Sequence, residues 1–451
     1  MRSSTPDGRG RLRAGALAAL VVALAAVLAA CGGSSSSGSS GGGGGASSSS
    51  GAGSKAGTTI NFLYRGTNPQ YESYIKWFIS SFEQQHPDIH VNVNSIPDND
   101  YHEKVSLVLK GNNPPDVFFS WEGGWAQTMV KNGFAAPLDA YYKKYHWDTE
   151  LNAAANKLAT FGGHQWFVPE YMSASAVWYN TDLFKKYNLT PPQTYDQLVQ
   201  VANTLKSHGV APFLLANQQQ WEAQFDWTAY FVNKYGLPVY QQLLAHKIKW
   251  TDPRVVATFA QMKQWADTGW FMKGFNSTDF DGTAIVFWKR QAAGMWYQGS
   301  FILPKFITNG KLSSPVDWFP YPQIGSVTPN MSMFAENTYM INKASKHKAA
   351  DAELLNYLVS KPVQTRMVNE VGPFPANKSV SLSSQPPMVQ RLGEKIAQSN
   401  GFTWMHIDHA LPPGIATPFL QALQGVLSGT VTPQAAAQKT EQAAVSTLSG
   451  G

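Results

Sequence analysis

Apolar positions recur along the chain with two different periods, and together they outline alternating strands and helices. Thr59-Ile60-Asn61-Phe62-Leu63-Tyr64 reads as a strand. Tyr71, Tyr74, Ile75, Phe78 and Phe82 then share one side of a helix that His86-Pro87 ends. Ile89, Val91 and Val93 alternate with His90, Asn92 and Asn94, the period of a second strand. Tyr101 to Lys110 follows as a short helix stopped by Gly111. Asp116-Val117-Phe118-Phe119-Ser120 reads as a buried strand that opens into Trp121-Glu122-Gly123-Gly124-Trp125. Further along, Trp227 begins a helix and Ala292 to Met295 forms a strand. Strands separated by helices predict an α/β fold with mostly parallel sheet and with ligand-binding loops gathered at the strand ends.

The first residues break with this pattern. Arg2, Arg9, Arg11 and Arg13 precede an Ala/Leu/Val run from Ala14 to Ala30, the layout of a secretory signal over residues 1–30. The run is too short and alanine-rich for a permanent membrane span. Leu28-Ala29-Ala30-Cys31 then places the one cysteine of the chain at the junction. This stretch resembles the lipobox of bacterial lipoproteins, which implies cleavage before Cys31 and a lipid on its sulfur. The plain alternative is an ordinary cleaved signal with a chance cysteine. Gly, Ser and Ala fill residues 31–57 almost completely, so this segment is expected to be a flexible tether. With no second cysteine, disulfides, Cys-based zinc sites and thiol nucleophiles are not expected in the folded part.

The remainder, Thr58 to Gly451, exceeds the ~250–300 residues at which one hydrophobic core stops growing, so two lobes are expected. Loss of residues 1–30, which hold four arginines and Asp7, halves the formal net charge of +6. What is left is too mild and too dispersed for nucleic acid. Charged residues make up 14% and aromatics 13%, with 15 tryptophans, an ample supply of flat apolar faces.

Five segments carry a family resemblance. Gly111-Asn112-Asn113-Pro114-Pro115-Asp116-Val117 resembles the "G-x-x-P-D-V" segment of extracellular solute-binding proteins that serve sugar importers of the ATP-binding-cassette type. Gly163 to Pro169 followed by Trp178-Tyr179-Asn180-Thr181-Asp182-Leu183-Phe184 is similar to the family's "G-K-x-Y-x-x-P … Y-N-x-D-L-F". Pro191-Pro192-Gln193-Thr194-Tyr195-Asp196-Gln197-Leu198 resembles "P-P-x-T-W-D-E-L", and Gln291 to Ser300 resembles the "G-x-A-A-M-x-x-x-G" turn. Leu427-Ser428-Gly429 with Thr432-Pro433-Gln434-Ala435 is similar to the C-terminal "L-x-G-x-x-x-P-x-x-A". The five stand in family order and cover nearly all of the chain after the tether.

The resemblance implies a two-lobe periplasmic-binding-protein-like (type II) fold with ligand held in a cleft and closure about a hinge. Lobe 1 is expected over 58–172 and again over 316–360, lobe 2 over 173–315 and 361–451. Sugar sites pair aromatic planes with side chains that fork onto hydroxyls, and Trp121 with Glu122 supplies both elements at a strand end. The alternative there is a core tryptophan beside a solvated glutamate. Arg65 and Asn68 follow the first strand, where the family places hydroxyl-binding groups, although Arg65 is equally readable as a surface charge. Glu170 and Tyr171 follow Pro169 at the expected hinge crossing, with a solvated glutamate as the alternative. The aromatic and amide cluster from Gln218 to Trp227 resembles the segment that stacks on sugar rings in maltodextrin-binding relatives, giving Trp221, Glu222 and Trp227. Of these Trp221 is preferred, because a tryptophan on an apolar helix face more often belongs to the core. Trp296, Tyr297 and Gln298 fall after the strand Ala292 to Met295, at a turn the family points into the cleft, and Trp296 is the foremost stacking candidate. Glu336 and Asn337 stand where the family usually has small residues. Phe374 either closes one end of the site or fills the hinge.

Other chemistry is thin. His406-Ile407-Asp408-His409 pairs two histidines three apart but lacks the His-Glu-x-x-His pattern, so no metal is expected. No phosphate loop, dinucleotide fingerprint or nucleophile elbow stands out in the folded region, and no catalytic residue or cofactor is assigned. The expectation is a membrane-tethered, monomeric receptor that is not an enzyme. It would capture a carbohydrate, an oligosaccharide more than a monosaccharide, for the permease subunits of an ABC importer. Two alternatives remain: a lipid-anchored carbohydrate-active hydrolase using Glu122 and Glu222, and a receptor reporting to a membrane sensor.

Overall fold

The computed structural model describes residues 57–308, 311–329, 331–372, 374–398 and 404–449. The signal segment, Cys31 and the tether up to residue 56 lie outside the described residues. Among the described residues no helix is long and apolar enough to cross a membrane.

Two sheets organise the chain. The first contains β1 (Thr58–Gly66), β2 (Ile89–Pro97), β3 (Val117–Ser120), β4 (Val168–Pro169) and β10 (Thr338–Ile341), in the order β2-β1-β3-β10-β4. The second contains β5 (Tyr171–Tyr179), β6 (Ala211–Phe213), β7 (Ala293–Gly299) and β8 (Asp317–Phe319), in the order β8-β5-β7-β6. Two short strands, β9 (Met333–Ala335) and β11 (Phe374–Pro375), also pair with β5. β1 runs parallel to β2 and β3, and β6 parallel to β7, as helix-separated strands should. The expectation of mostly parallel sheet fails at β5 and β10, whose named partners are all antiparallel. Both strands pass straight from one sheet into the other, without the crossover helix that a parallel neighbour requires.

Local chemistry accounts for the elements. The helix Pro69–Gln85 starts where the Asn68 side chain accepts the Tyr71 N–H at 2.9 Å, and it buries Tyr71, Tyr74, Ile75, Phe78 and Phe82 against the first sheet. Val93 is 39% exposed, because β2 is the edge strand. The helix Ala223–Tyr235 buries Trp227 completely, its ring 5.1 Å from Phe231 and 5.0 Å from Phe419.

The lobes part company with the expected boundaries at two places. Trp318 on β8 lies opposite Trp178, so residues 317–319 join the second sheet rather than returning to the first. The helices Lys348–Leu358 and Lys361–Glu370 both bury their apolar faces in the first core, which keeps the chain there beyond residue 360.

The hinge is a continuous antiparallel ladder. β9 faces β5 in the second sheet, β10 faces β4 in the first, and between them Glu170 N–H donates to Asn337 O at 2.7 Å while Glu336 N–H donates to Tyr171 O at 2.9 Å. A third crossing, β11, lies on Tyr171 and Met172. Gln364 ties it in, donating to Glu170 O at 2.8 Å and accepting from Ala376 N–H at 2.9 Å. The Glu170 carboxylate is sealed inside this junction, where it accepts from Tyr71 Oη at 2.7 Å and Asn337 Nδ2 at 3.0 Å. Burial pushes its carboxyl up to about 7, partly offset by those two donors.

Two stability predictions follow from this packing. Trp227→Ala should lower the unfolding free energy by about 3–5 kcal/mol in a urea titration, the usual cost of emptying a core aromatic site. Because the folded protein holds the Glu170 proton above the ordinary value of 4.5, its contribution to stability is greatest below that pH and falls as pH rises through about 7. Glu170→Gln should therefore gain in melting temperature relative to the parent between pH 5 and pH 8, and a constant difference across that range would contradict the assignment.

Candidate functional site

The C-terminal ends of β1 and β3 form one wall of the site. Arg65, the penultimate residue of β1, donates through Nη1 to Asp98 at 3.0 Å, and through Nη2 to Glu336 at 3.1 Å and Asn337 at 3.0 Å. Its guanidinium lies 4.8 Å from the Phe119 ring and 5.3 Å from Trp121. Burial works against the Arg65 charge, but Asp98 and Glu336 outweigh it and its pKa rises. Trp121 is nearly sealed, stacked on His102 at 4.0 Å with Tyr101, Phe119 and Trp125 at its edges. Glu122 is fully buried and accepts from or pairs with His409 Nδ1 at 3.2 Å. Tyr171 and Glu336 floor this wall at the hinge, both buried, in the field of Arg65.

The second lobe supplies the aromatic wall. Trp221 is half-buried and meets Phe280 at 4.9 Å, Phe225 at 5.8 Å and Phe301 at 6.0 Å, all edge to face. Lys305 Nζ sits 4.4 Å from the Phe280 ring and donates to Phe280 O at 3.2 Å and Asp281 O at 3.1 Å. Desolvation raises the Asp281 carboxyl; Lys305 lowers it, and Asp98 from the other lobe raises it again. Arg65 acts on Asp281 as well, so the charged ends of the two walls feel each other. Behind Trp221, Glu222 spends both oxygens inside the protein, one on Gln298 Nε2 at 2.9 Å and one on the Ala216 N–H. Burial drives its carboxyl well above the usual range, and the Ala216 and Gln298 donors offset part of that shift.

Several expected site residues are placed elsewhere. The strand Ala292 to Met295 does not stop there: β7 runs to Gly299, so Trp296, Tyr297 and Gln298 are strand residues rather than a turn. Trp296 is 1% exposed, opposite Trp178 on β5 and enclosed by Phe280, Trp288 and Phe306. Tyr297 faces the opposite core beside Tyr321, and Gln298 is a strut for Glu222. Trp227 is a core residue. Phe374 fills the hinge, paired with Met172 and packed into the core of the second sheet. Asn68 is exposed and its side-chain oxygen is the helix cap.

Arg65, Trp121, Glu122, Tyr171, Glu336 and Asn337 do converge on the first wall, and Trp221 stands on the second. Sequence reasoning missed Asp98, His102, Phe280, Asp281, Phe301 and Lys305. Phe280-Asp281-Gly282 precedes the helix Thr283–Lys289 and had a turn signal, but nothing local says that this turn faces Trp221. An open concavity of about 590 Å³ lies away from both walls, lined by Thr181, Val316, Asp317, Met388 and Arg391, and it offers no aromatic face. Among the described residues no group of three or more His, Cys, Asp or Glu is arranged to hold a metal ion.

Half-buried aromatic rings beside a set of fixed charges suit a ligand with apolar faces and many hydroxyls. Comparison with known proteins agrees in kind. An uncharacterised ABC transporter extracellular-binding protein of Pyrococcus horikoshii is 24% identical over 367 residues, 78% of each chain. A multiple sugar-binding protein of Streptococcus mutans is 22% identical over 366 residues, 77% of this chain and 82% of that one. The solved structure of a chitin oligosaccharide binding protein superposes with a TM-score of 0.79 at 19% identity, covering 88% of this chain and all of the other, which shows the shared two-lobe fold. Residues 66–365 match the family pattern itself, and the chain therefore belongs to the bacterial extracellular solute-binding proteins.

Proposed function

We propose that this extracytoplasmic solute-binding protein captures an oligosaccharide between the Trp221–Phe280–Phe301 wall and the Arg65–Asp98 wall and delivers it to the permease subunits of an ABC importer. Lobe 1 then comprises 58–169 with 338–372 and 376–380, and lobe 2 comprises 171–336 with 387–398 and 404–449. The chain works as a monomer, held to the membrane through lipidated Cys31. The observation that carries the reading is the half-buried Trp221–Phe280 pair, since the remaining cleft aromatics are largely enclosed by protein. Relatives that bind multiple sugars or chitin oligosaccharides point the same way.

Carbohydrate binding without turnover is the corresponding chemistry. Both glutamates of the hydrolase alternative are already committed, Glu122 to His409 and Glu222 to Gln298 and Ala216. A pair of catalytic carboxylates needs one acid and one free base or nucleophile facing the same bond.

Isothermal titration against mono- and oligosaccharides, with product analysis of the same samples, tests this directly. Saturable binding of intact oligosaccharide is expected, and release of shorter sugars would replace the receptor reading with the hydrolase. Trp221→Ala should weaken that binding about tenfold or more, equivalent to ~1.4 kcal/mol, with an unchanged circular dichroism spectrum. Trp296→Ala should instead register mainly as lost stability, by about 3–5 kcal/mol.

A further inference from the structure

The His406–His409 motif, which the ligand walls leave unused, lies on the short turn Ile407–Ala410, and this turn is anchored in the second lobe. Ser332 Oγ donates to Trp404 O at 2.7 Å, Tyr240 Oη to Met405 O at 2.7 Å, and Asp408 N–H to Gln224 Oε1 at 2.9 Å. His406 is held by Ser175 Oγ at 2.9 Å and stacks on Phe225 at 3.8 Å. From this anchored turn His409 reaches across to the first lobe, where its Nδ1 lies 3.2 Å from Glu122 Oε1. Both side chains are shut away from water, with Glu122 at 0% and His409 at 9% exposure.

The backbone is shaped for the same approach. Gly123 has φ of +69°, and a Cβ there would lie 2.3 Å from His409 O; a Cβ on Gly124 would lie 2.5 Å from the Leu411 carbonyl carbon. Two successive glycines therefore allow main chain of one lobe to touch main chain of the other beside the ion pair.

We propose that His409 and Glu122 form an interlobe clasp, a positioning pair that holds the cleft shut and thereby raises ligand affinity without touching ligand. It uses the solute-binding reading only for the idea that the lobes open and close, so its test contains no sugar. A buried pair of this kind is favourable only while both charges are present and adjacent. Opening removes the attraction while rehydrating both charges, so the pair biases the lobes toward closure by the amount the attraction exceeds the desolvation cost.

The charge on His409 is set from several sides. Burial alone would lower its pKa, but Asp408 on its own turn, Glu122 at the end of β3 and Glu336 at the hinge outweigh that and push it up to about 9. His406 beside it is driven well below the ordinary imidazole range by desolvation and by His409, and His102 on the facing helix is also lowered by desolvation. Opening takes Glu122 away from His409 but leaves Asp408 on the same turn; the attraction to Glu122 needs a charged imidazole, so its contribution to closure is lost as pH rises through about 9.

The experiment uses the full chain with its one cysteine, Cys31, replaced by serine, and spin labels on Lys76→Cys and Gln241→Cys, one in each lobe. Interlobe distances are measured by pulsed electron resonance without ligand. In the parent, the longer-distance population should grow about tenfold or more between pH 7.5 and pH 10. Glu122→Gln and His409→Gln should each show that open population already at pH 7.5, with no further alkaline step, and the double variant should open no further than either single one. An unchanged distance distribution in the parent across this pH range overturns the clasp, and that arm needs no cleft variant to fold. So does an alkaline step that persists in His409→Gln, or additive opening in the double variant.

Discussion

Where the chain passes between its sheets, Glu170 and Glu336 give their main-chain N–H groups to Asn337 and Tyr171, and the two lobes are joined through that exchange. The ladder is not interrupted at the crossing: β5 and β9 continue directly into β4 and β10. Backbone hydrogen bonding tolerates twist but not separation, so the lobes are free to rotate about the junction and not to drift apart. Tyr71, Tyr339 and Asn337 close the space around Glu170, and Gln364 fastens the third crossing to the first two. A carboxylate confined in this way is costly as a charge, and the tyrosine and amide donors offset only part of that cost.

From the hinge outward the structure divides its aromatic residues by task. Trp121, Trp227 and Trp296 are sealed by other rings and belong to the walls and cores, whereas Trp221, Phe280 and Phe301 keep part of their surface free at the cleft. The charges are divided in the same way. Arg65 is held through its two terminal nitrogens by Asp98, Glu336 and Asn337, which fixes its position before any ligand arrives. Polar groups held in place by protein lose little freedom on binding, and so the affinity of a modest set of contacts is preserved. Glu336 and Asn337, at the hinge, serve to hold that arginine.

Much of this was legible along the chain. The first strand and helix and the buried β3 strand followed from residue pattern and spacing, and the five family segments from their resemblance to known motifs. They depend on neighbours within a few positions, and propensity, capping and periodicity act at that range. The errors have the same origin in reverse. Trp296 was read as a turn residue because Ala292 to Met295 makes a plausible short strand, yet the strand continues through Gly299 once β5 pairs along its whole length. The pairing of Glu122 with His409 went unread because its partner lies 287 positions away. Phe280 and Lys305 passed unnoticed because neither belongs to a local motif.

By itself the sequence determined the first strands and helices, the alternation that makes an α/β chain, the two-lobe size and the resemblance to the family. Only the tertiary structure decided which tryptophans are sealed in the cores, how Glu122 and Glu222 are paired, and which residues of the two lobes face each other. The physical reason is range. Secondary structure and hydrophobic pattern are written in contacts a few residues apart, whereas a cleft is made of side chains from distant segments that share nothing in sequence except the fold that brings them together.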